Sequence, residues 1–166
     1  VSVETEVKYL VADNWKESLT GGEIKSVSNI KQGYLSTDPE RTVRVRLLTQ
    51  NQTSEAFITI KGKRNGLSCP EYEYRVPFED GLQLIAMCSN VIDKTRHVVV
   101  TEQDQRWEVD VFHGLNDGLI LGEMEFEGEE NAPMFVPEWA VEDVSFDHRY
   151  TNAQLSSNKA PCLAVV

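Results

Sequence analysis

The chain has 166 residues, with 27 acidic against 16 basic side chains and a formal net charge of −11. That balance excludes a general phosphate-backbone binder, because nonspecific nucleic-acid binding needs a broad basic surface, and no apolar run approaches the ~18–20 residues of a membrane-spanning helix. The length suits one domain, 1–166, large enough to bury a core without staples.

Residues 1–9 read as a strand in which Glu4, Glu6 and Lys8 share one face while Val3, Thr5, Val7 and Tyr9 take the other. Residues 12–28 are mixed and interrupted by glycine; with Trp15, Leu19, Ile24 and Val27 as apolar anchors they predict a short helix plus loop on the outside of the sheet. Residues 29–36 and 41–49 predict a hairpin closed by Thr37-Asp38-Pro39-Glu40, and 56–61 and 71–76 supply two more antiparallel strands. Residues 77–90 predict a helix that buries Phe78, Leu82, Leu84, Ile85, Met87 and Cys88, with Glu79 and Asp80 suited to its first turn. Strands follow at 91–100, 105–112 and 119–127, and then short helices at 137–144 and 150–157. Cys69, Cys88 and Cys162 follow no metal or redox spacing and read as buried or incidental thiols in a reducing compartment. The start lacks a basic region followed by an apolar core, so a cytoplasmic location is expected.

The plan of the first strand recurs. Arg44 and Arg46 flank Val45; Glu71, Glu73 and Arg75 alternate with Tyr72 and Tyr74; Lys94 and Arg96 flank Thr95; Glu108 and Asp110 flank Val109; and Glu123, Glu125 and Glu127 alternate with Met124 and Phe126. On an ordinary sandwich such charges would meet bulk water. Like-charged neighbours on one face repel, however, unless cations sit between the acids and anions between the bases. A mainly β fold answers both needs if eight antiparallel strands close into a barrel tunnel with a charged lumen. Its apolar parity (Val43, Val45, Ile58, Ile60, Trp107, Val109, Val111 and the residues just named) would then lie outside, under helices.

Carboxylates facing Arg and Lys across a narrow lumen suit a polyanion held with hard divalent cations, Mg²⁺ or Mn²⁺, and the lack of a His or Cys cluster argues against zinc. Arg and Lys grip phosphate oxygens, so the pattern describes phosphoryl transfer, which needs positioning and charge neutralisation and no Ser, Cys or His nucleophile. His97, His113 and His148 stand apart in sequence and read as structural or exposed.

These residues resemble a known family. Glu4-x-Glu6-x-Lys8 is similar to the ExExK signature of the CYTH superfamily, the triphosphate tunnel metalloenzymes, and QGYLS, TVRVR, TIKG, EYEY, KTR, WEVDVF, GEMEFE and DHRYTN follow in that family's order. The resemblance, over about residues 3–155, implies a tunnel open at both ends that binds a triphosphate with divalent cations. It implies metal-binding roles for Glu4, Glu6, Asp110, Glu123 and Glu125, with Glu73 and Glu108 beside them. Lys8, Arg44, Arg46, Lys61, Lys94 and Arg96 correspond to phosphate-gripping positions. Arg149 resembles a further basic contact near a C-terminal helix that closes one tunnel end, and Tyr34 is placed to meet Lys8. Lys8, Glu4, Glu6 and Glu125 form the expected catalytic set, and Mg²⁺ or Mn²⁺ the expected cofactor.

Within the superfamily the chain resembles the short bacterial inorganic tripolyphosphatases, which implies hydrolysis of tripolyphosphate to pyrophosphate and phosphate. The implied partner is a small-molecule triphosphate, with no nucleic acid and no membrane, and family members can form homodimers. Three readings compete: a class IV-type adenylate cyclase, a nucleoside or thiamine triphosphatase, and a non-catalytic polyphosphate- or nucleotide-binding module. One departure stands out, since the family often carries a base two positions before the first Glu of EYEY, where this chain has Cys69. Arg75, Lys63 or Arg64 could each compensate.

Overall fold

A computed structural model describes residues 2–163. Its strands are β1 (Ser2–Val11), β2 (Glu23–Ser36), β3 (Arg41–Gln50), β4 (Thr53–Gly62), β5 (Ser68–Val76), β6 (Val91–Val100), β7 (Arg106–Phe112), β8 (Ile120–Glu125) and β9 (Ala140–Asp143). The helices are α1 (Phe78–Ala86) and α2 (Asn152–Leu155). Eight antiparallel strands close into a barrel in the order β1-β5-β4-β3-β2-β6-β7-β8 and back to β1. Closure depends on β1, whose one edge pairs with β8 over Glu6–Leu10 while its other pairs with β5 over Ser2–Thr5 and then with β9. Asn51 and Gln52 both hold positive φ, the backbone a two-residue hairpin needs between Gln50 and its partner Thr53.

Because the strands alternate in direction, the β2–β3 turn and the β4–β5 loop emerge at one end of the barrel. The C-terminal segment folds over that same end, packing Val144, Tyr150 and Leu155 against Ile92, Phe112 and Leu121. A second core lies outside the barrel wall, where Val7, Val99, Trp107 and Val109 meet Trp15 and Trp139. Trp107 and Trp139 stack edge to face at 5.4 Å between centroids, a favoured aromatic geometry. On a third side α1 lies against β3 and β4. Among the described residues no helix is long and apolar enough to cross a membrane.

Three expectations need correction. The stretch 12–28 forms no helix: 13–18 is a run of turns closed by bonds such as Ser18 N–H to the Trp15 carbonyl, and β2 already begins at Glu23. Gly21 at φ +68° breaks the chain there, and the residues beyond it pair with β6, Glu23 opposite Val100. Residues 140–143 form strand β9, not a helix, because the edge of β1 beyond β5 offers unpaired backbone groups from Tyr9 to Val11. The outer apolar parity is only partly covered by helix. Trp-bearing loops cover the β1, β6 and β7 side, while Ile60, Tyr72 and Tyr74 stay exposed.

Candidate active site

The lumen is a cavity of about 460 Å³ lined by the charged parity of the strands. Around the barrel wall the charges separate into two arcs. Lys61 of β4, Arg44 and Arg46 of β3, and Lys94 and Arg96 of β6 make a basic arc, interrupted by Gln32 and Tyr34 of the intervening β2. Glu108 of β7, Glu123 and Glu125 of β8, Glu4 and Glu6 of β1, and Glu71 and Glu73 of β5 make an acidic arc. Strand register produces this separation, since Glu6 is the cross-strand partner of Glu125 and Glu123 lies between Lys8 and Glu108. Cross-strand neighbours lie about 4.5–5.5 Å apart at Cβ, so the acids crowd one another.

Where the arcs meet, ions pair. Lys61 hydrogen-bonds Glu4, and Arg96 donates to both oxygens of Asp110 at 2.8 and 2.9 Å and to Glu108 at 2.7 Å. Lys94, fully buried, lies 2.7 Å from Asp110 and donates to Asn152 of α2 at 3.0 Å. Burial pulls the Lys94 ammonium down to about 7 and the Arg46 guanidinium down to about 9, the latter also pressed by Arg44 and Arg96. Burial opposes ionisation of Asp110, but Arg96 and Lys94 outweigh it and hold the carboxyl at about 2. Arg46 donates twice to Gln32, whereas the Arg44 Nε is buried with no hydrogen-bond partner. Arg44 itself lines the cavity, and its buried, unpartnered N–H is a donor left to be satisfied.

Within the acidic arc, burial pushes Glu6 well above its usual value, with Glu123 and Glu4 adding to the shift, while Glu123 is drawn well below by Lys8, Lys94 and Arg96. Glu125 is raised by burial and by Glu4, Glu71 and Glu108. The donor set, carboxylates with no imidazole among them, fits a hard divalent cation that would relieve this repulsion. Among the described residues no three His, Cys, Asp or Glu side chains converge to ligand spacing.

The lumen brings together most of the residues named from sequence: Glu4, Glu6, Lys8, Arg44, Arg46, Lys61, Glu73, Lys94, Arg96, Glu108, Glu123 and Glu125. Three lie elsewhere. Arg75 is on the exposed far part of β5, 3.1 Å from Glu55; Asp110 is buried behind Arg96 and Lys94; and Arg149 is exposed and bound to its neighbour Asp147. Lys8 donates to the Tyr150 carbonyl at 3.2 Å and approaches Glu123 at 3.6 Å; its described partners do not include Tyr34. Of the histidines, His97 is buried outside the wall against Trp15, His113 bonds Thr95, and His148 reaches the rim of the cavity. Sequence reading passed over Gln32, Thr59 and Asn152, and named Arg64 only as one of three bases that could compensate for Cys69. Strand parity would have found Gln32 and Thr59; nothing local marks Asn152.

No family model matches the chain. It is 34% identical over 157 residues to an inorganic triphosphatase of Acetivibrio thermocellus, covering 93% of this chain and 94% of that protein. It is 36% identical over 155 residues to an inorganic triphosphatase of Nitrosomonas europaea, covering 92% and 96% respectively. A crystal structure of an inorganic triphosphatase superposes with a TM-score of 0.65 at 32% identity, covering 95% of this chain and 96% of that one. With the barrel, its two-arc lumen and likeness along nearly its whole length, the chain belongs to the inorganic triphosphatases, within the triphosphate tunnel metalloenzymes of the CYTH superfamily.

Proposed function

We propose that the protein hydrolyses inorganic tripolyphosphate in its lumen, water adding across one phosphoanhydride bond to release pyrophosphate and phosphate. The observation that carries this reading is the division of one cavity wall into a basic and an acidic arc, with Arg44 Nε left unpartnered. The basic arc binds the substrate: Arg44, Arg46, Lys61, Lys94 and Arg96 present donors to phosphate oxygens, and Lys8 places one further cation inside the acidic arc. Glu4, Glu6, Glu73, Glu108, Glu123 and Glu125 would hold Mg²⁺ or Mn²⁺, which when bound neutralises phosphate charge and acidifies a coordinated water. Asp110 serves from behind, fixing Arg96 and Lys94 toward the lumen. Glu6 lies beside Glu123, burial raising the one carboxyl while Lys8, Lys94 and Arg96 draw the other down, and this pair is the group assigned to take the proton of the attacking water. Ion pairs between the arcs hold the side chains in place before substrate arrives, so little reorganisation remains at the moment of reaction.

The test is phosphate release from tripolyphosphate, pyrophosphate, ATP and thiamine triphosphate, each with Mg²⁺, Mn²⁺ or chelator. Metal-dependent cleavage of tripolyphosphate, abolished by Arg44→Glu with the fold retained, is the expected result. Consumption of ATP in its place, or turnover unchanged by the charge reversal, would overturn the assignment.

A further inference from the structure

The barrel leaves a gap in its grip on phosphate at the mouth. Cys69 lines the cavity as the cross-strand partner of Glu4, and its thiol donates to the Gly62 carbonyl at 3.2 Å and to the Pro70 carbonyl at 3.4 Å. Of the three bases that could stand in for a cation there, two point elsewhere. The Arg75 side chain is 67% exposed on Glu55, and that of Lys63 is 78% exposed near Glu40. Arg64 alone of the three lines the cavity.

The β4–β5 loop is built to hold Arg64 there. Asn65 and Ser68 exchange backbone hydrogen bonds of 2.8 and 3.0 Å, Gly66 takes φ +61° between them, and Glu129 accepts from the Leu67 N–H at 3.0 Å. Across this turn Arg64 Nη1 donates to the Leu67 carbonyl at 3.1 Å, which steers Nη2 to 3.7 Å from the Glu6 carboxylate. That distance is beyond hydrogen bonding. Arg64 thus differs from Arg96, each of whose three guanidinium nitrogens already makes one bond to Asp110 or Glu108. The Arg64 side chain is 35% exposed, so it meets both the cavity and the solvent at its mouth. The β2–β3 turn (Thr37, Pro39) and the C-terminal segment (Phe146, His148) frame the same opening.

We infer that Arg64 is a substrate-gripping and specificity-determining residue, binding the terminal phosphoryl group at the mouth and so favouring a free inorganic triphosphate over one esterified to an organic group. The inference rests on the reading of the lumen as a triphosphate site. The lumen is crowded with ion pairs, so the organic part of an esterified triphosphate has to stay at the mouth. There Arg64 meets it in place of a doubly charged phosphate. A charge-assisted contact through Nη2 is then lost for the ester and kept for the inorganic chain.

The experiment compares wild type, Arg64→Ala and Arg64→Lys on tripolyphosphate, with ATP measured as an alternative substrate or as a competitor. In Arg64→Ala, kcat/KM for tripolyphosphate should fall about 10- to 100-fold, mainly through KM, while the constant for ATP moves less than about threefold, so that the preference collapses. Arg64→Lys should fall between, and Cys69→Arg added to Arg64→Ala should restore part of the loss. Equal losses for both ligands, or none, would overturn the inference; equal losses with a shifted pH profile would instead make Arg64 a neutraliser of Glu6. A wild-type chain that neither cleaves nor binds tripolyphosphate would overturn the functional reading and this inference with it, an outcome visible without any variant.

Discussion

Single residues in this lumen differ in what they can lose. Glu125 has its carboxyl raised by burial and by Glu4, Glu71 and Glu108, so above that raised value its charge sets it against like-charged neighbours. Glu125→Gln should therefore leave the melting temperature at pH 8 unchanged or slightly higher while lowering metal-dependent turnover at least ~100-fold, read by thermal unfolding and phosphate release on the same sample. Unchanged turnover would remove Glu125 from the metal-holding set. Asp110 is the opposite case, because its carboxylate is fully buried and compensates both Arg96 and Lys94. Sequence parity puts Asp110 with the lumen acids, and only its buried position behind two cations distinguishes a support from a ligand.

At the level of elements, α1 shows how closely the outer layer fits the barrel. Gly81 faces β3 and β4, and a Cβ there would lie 2.4 Å from the Ala56 Cβ and 3.0 Å from Leu47 Cδ2. Alanine normally stabilises a helix interior by about 0.5–1 kcal/mol over glycine, but overpacking costs about 1–3 kcal/mol, so Gly81→Ala should destabilise. Chemical denaturation should show a lowered midpoint, with activity per folded molecule preserved because α1 is remote from the lumen; a raised midpoint would show that the helix can shift outward. Residues 77–90 announced this helix through their apolar spacing, although Leu82 and Met87 remain exposed where a buried face was expected. Strand β9 was illegible, since its four residues are a strand only because the β1 edge is vacant beside them.

For the molecule as a whole, charge balance across the lumen governs the response to pH. The Asp110 carboxyl is depressed from 3.8 to about 2, so its contribution to stability is complete above about pH 4 and is lost as pH falls toward about 2. Unfolding free energy measured between pH 6 and pH 2 should drop through that window, and Asp110→Asn should be less stable at pH 6 yet flatter on acidification. A variant with the same acid slope as wild type would assign the loss to other carboxylates. A divalent cation with tripolyphosphate should raise the melting temperature of the wild type, because each opposes the repulsion within one arc, and chelator should reverse the gain.

The sequence by itself determined the strand plan and the existence of a charged interior. Alternation with a period of two is a local property, and Glu4-x-Glu6-x-Lys8, Arg44-x-Arg46 and Lys94-x-Arg96 each carry it within a few residues. Only the tertiary structure decided which charges meet. Ring closure through β1 depends on pairing across 63 residues, as between Thr5 and Ser68, and that register divides the wall into acidic and basic arcs. The direction of a loop side chain depends on partners far along the chain. Arg64 is turned into the mouth by a loop that Glu129 holds from outside the barrel, while Arg75, on the expected parity, ends in solvent on Glu55.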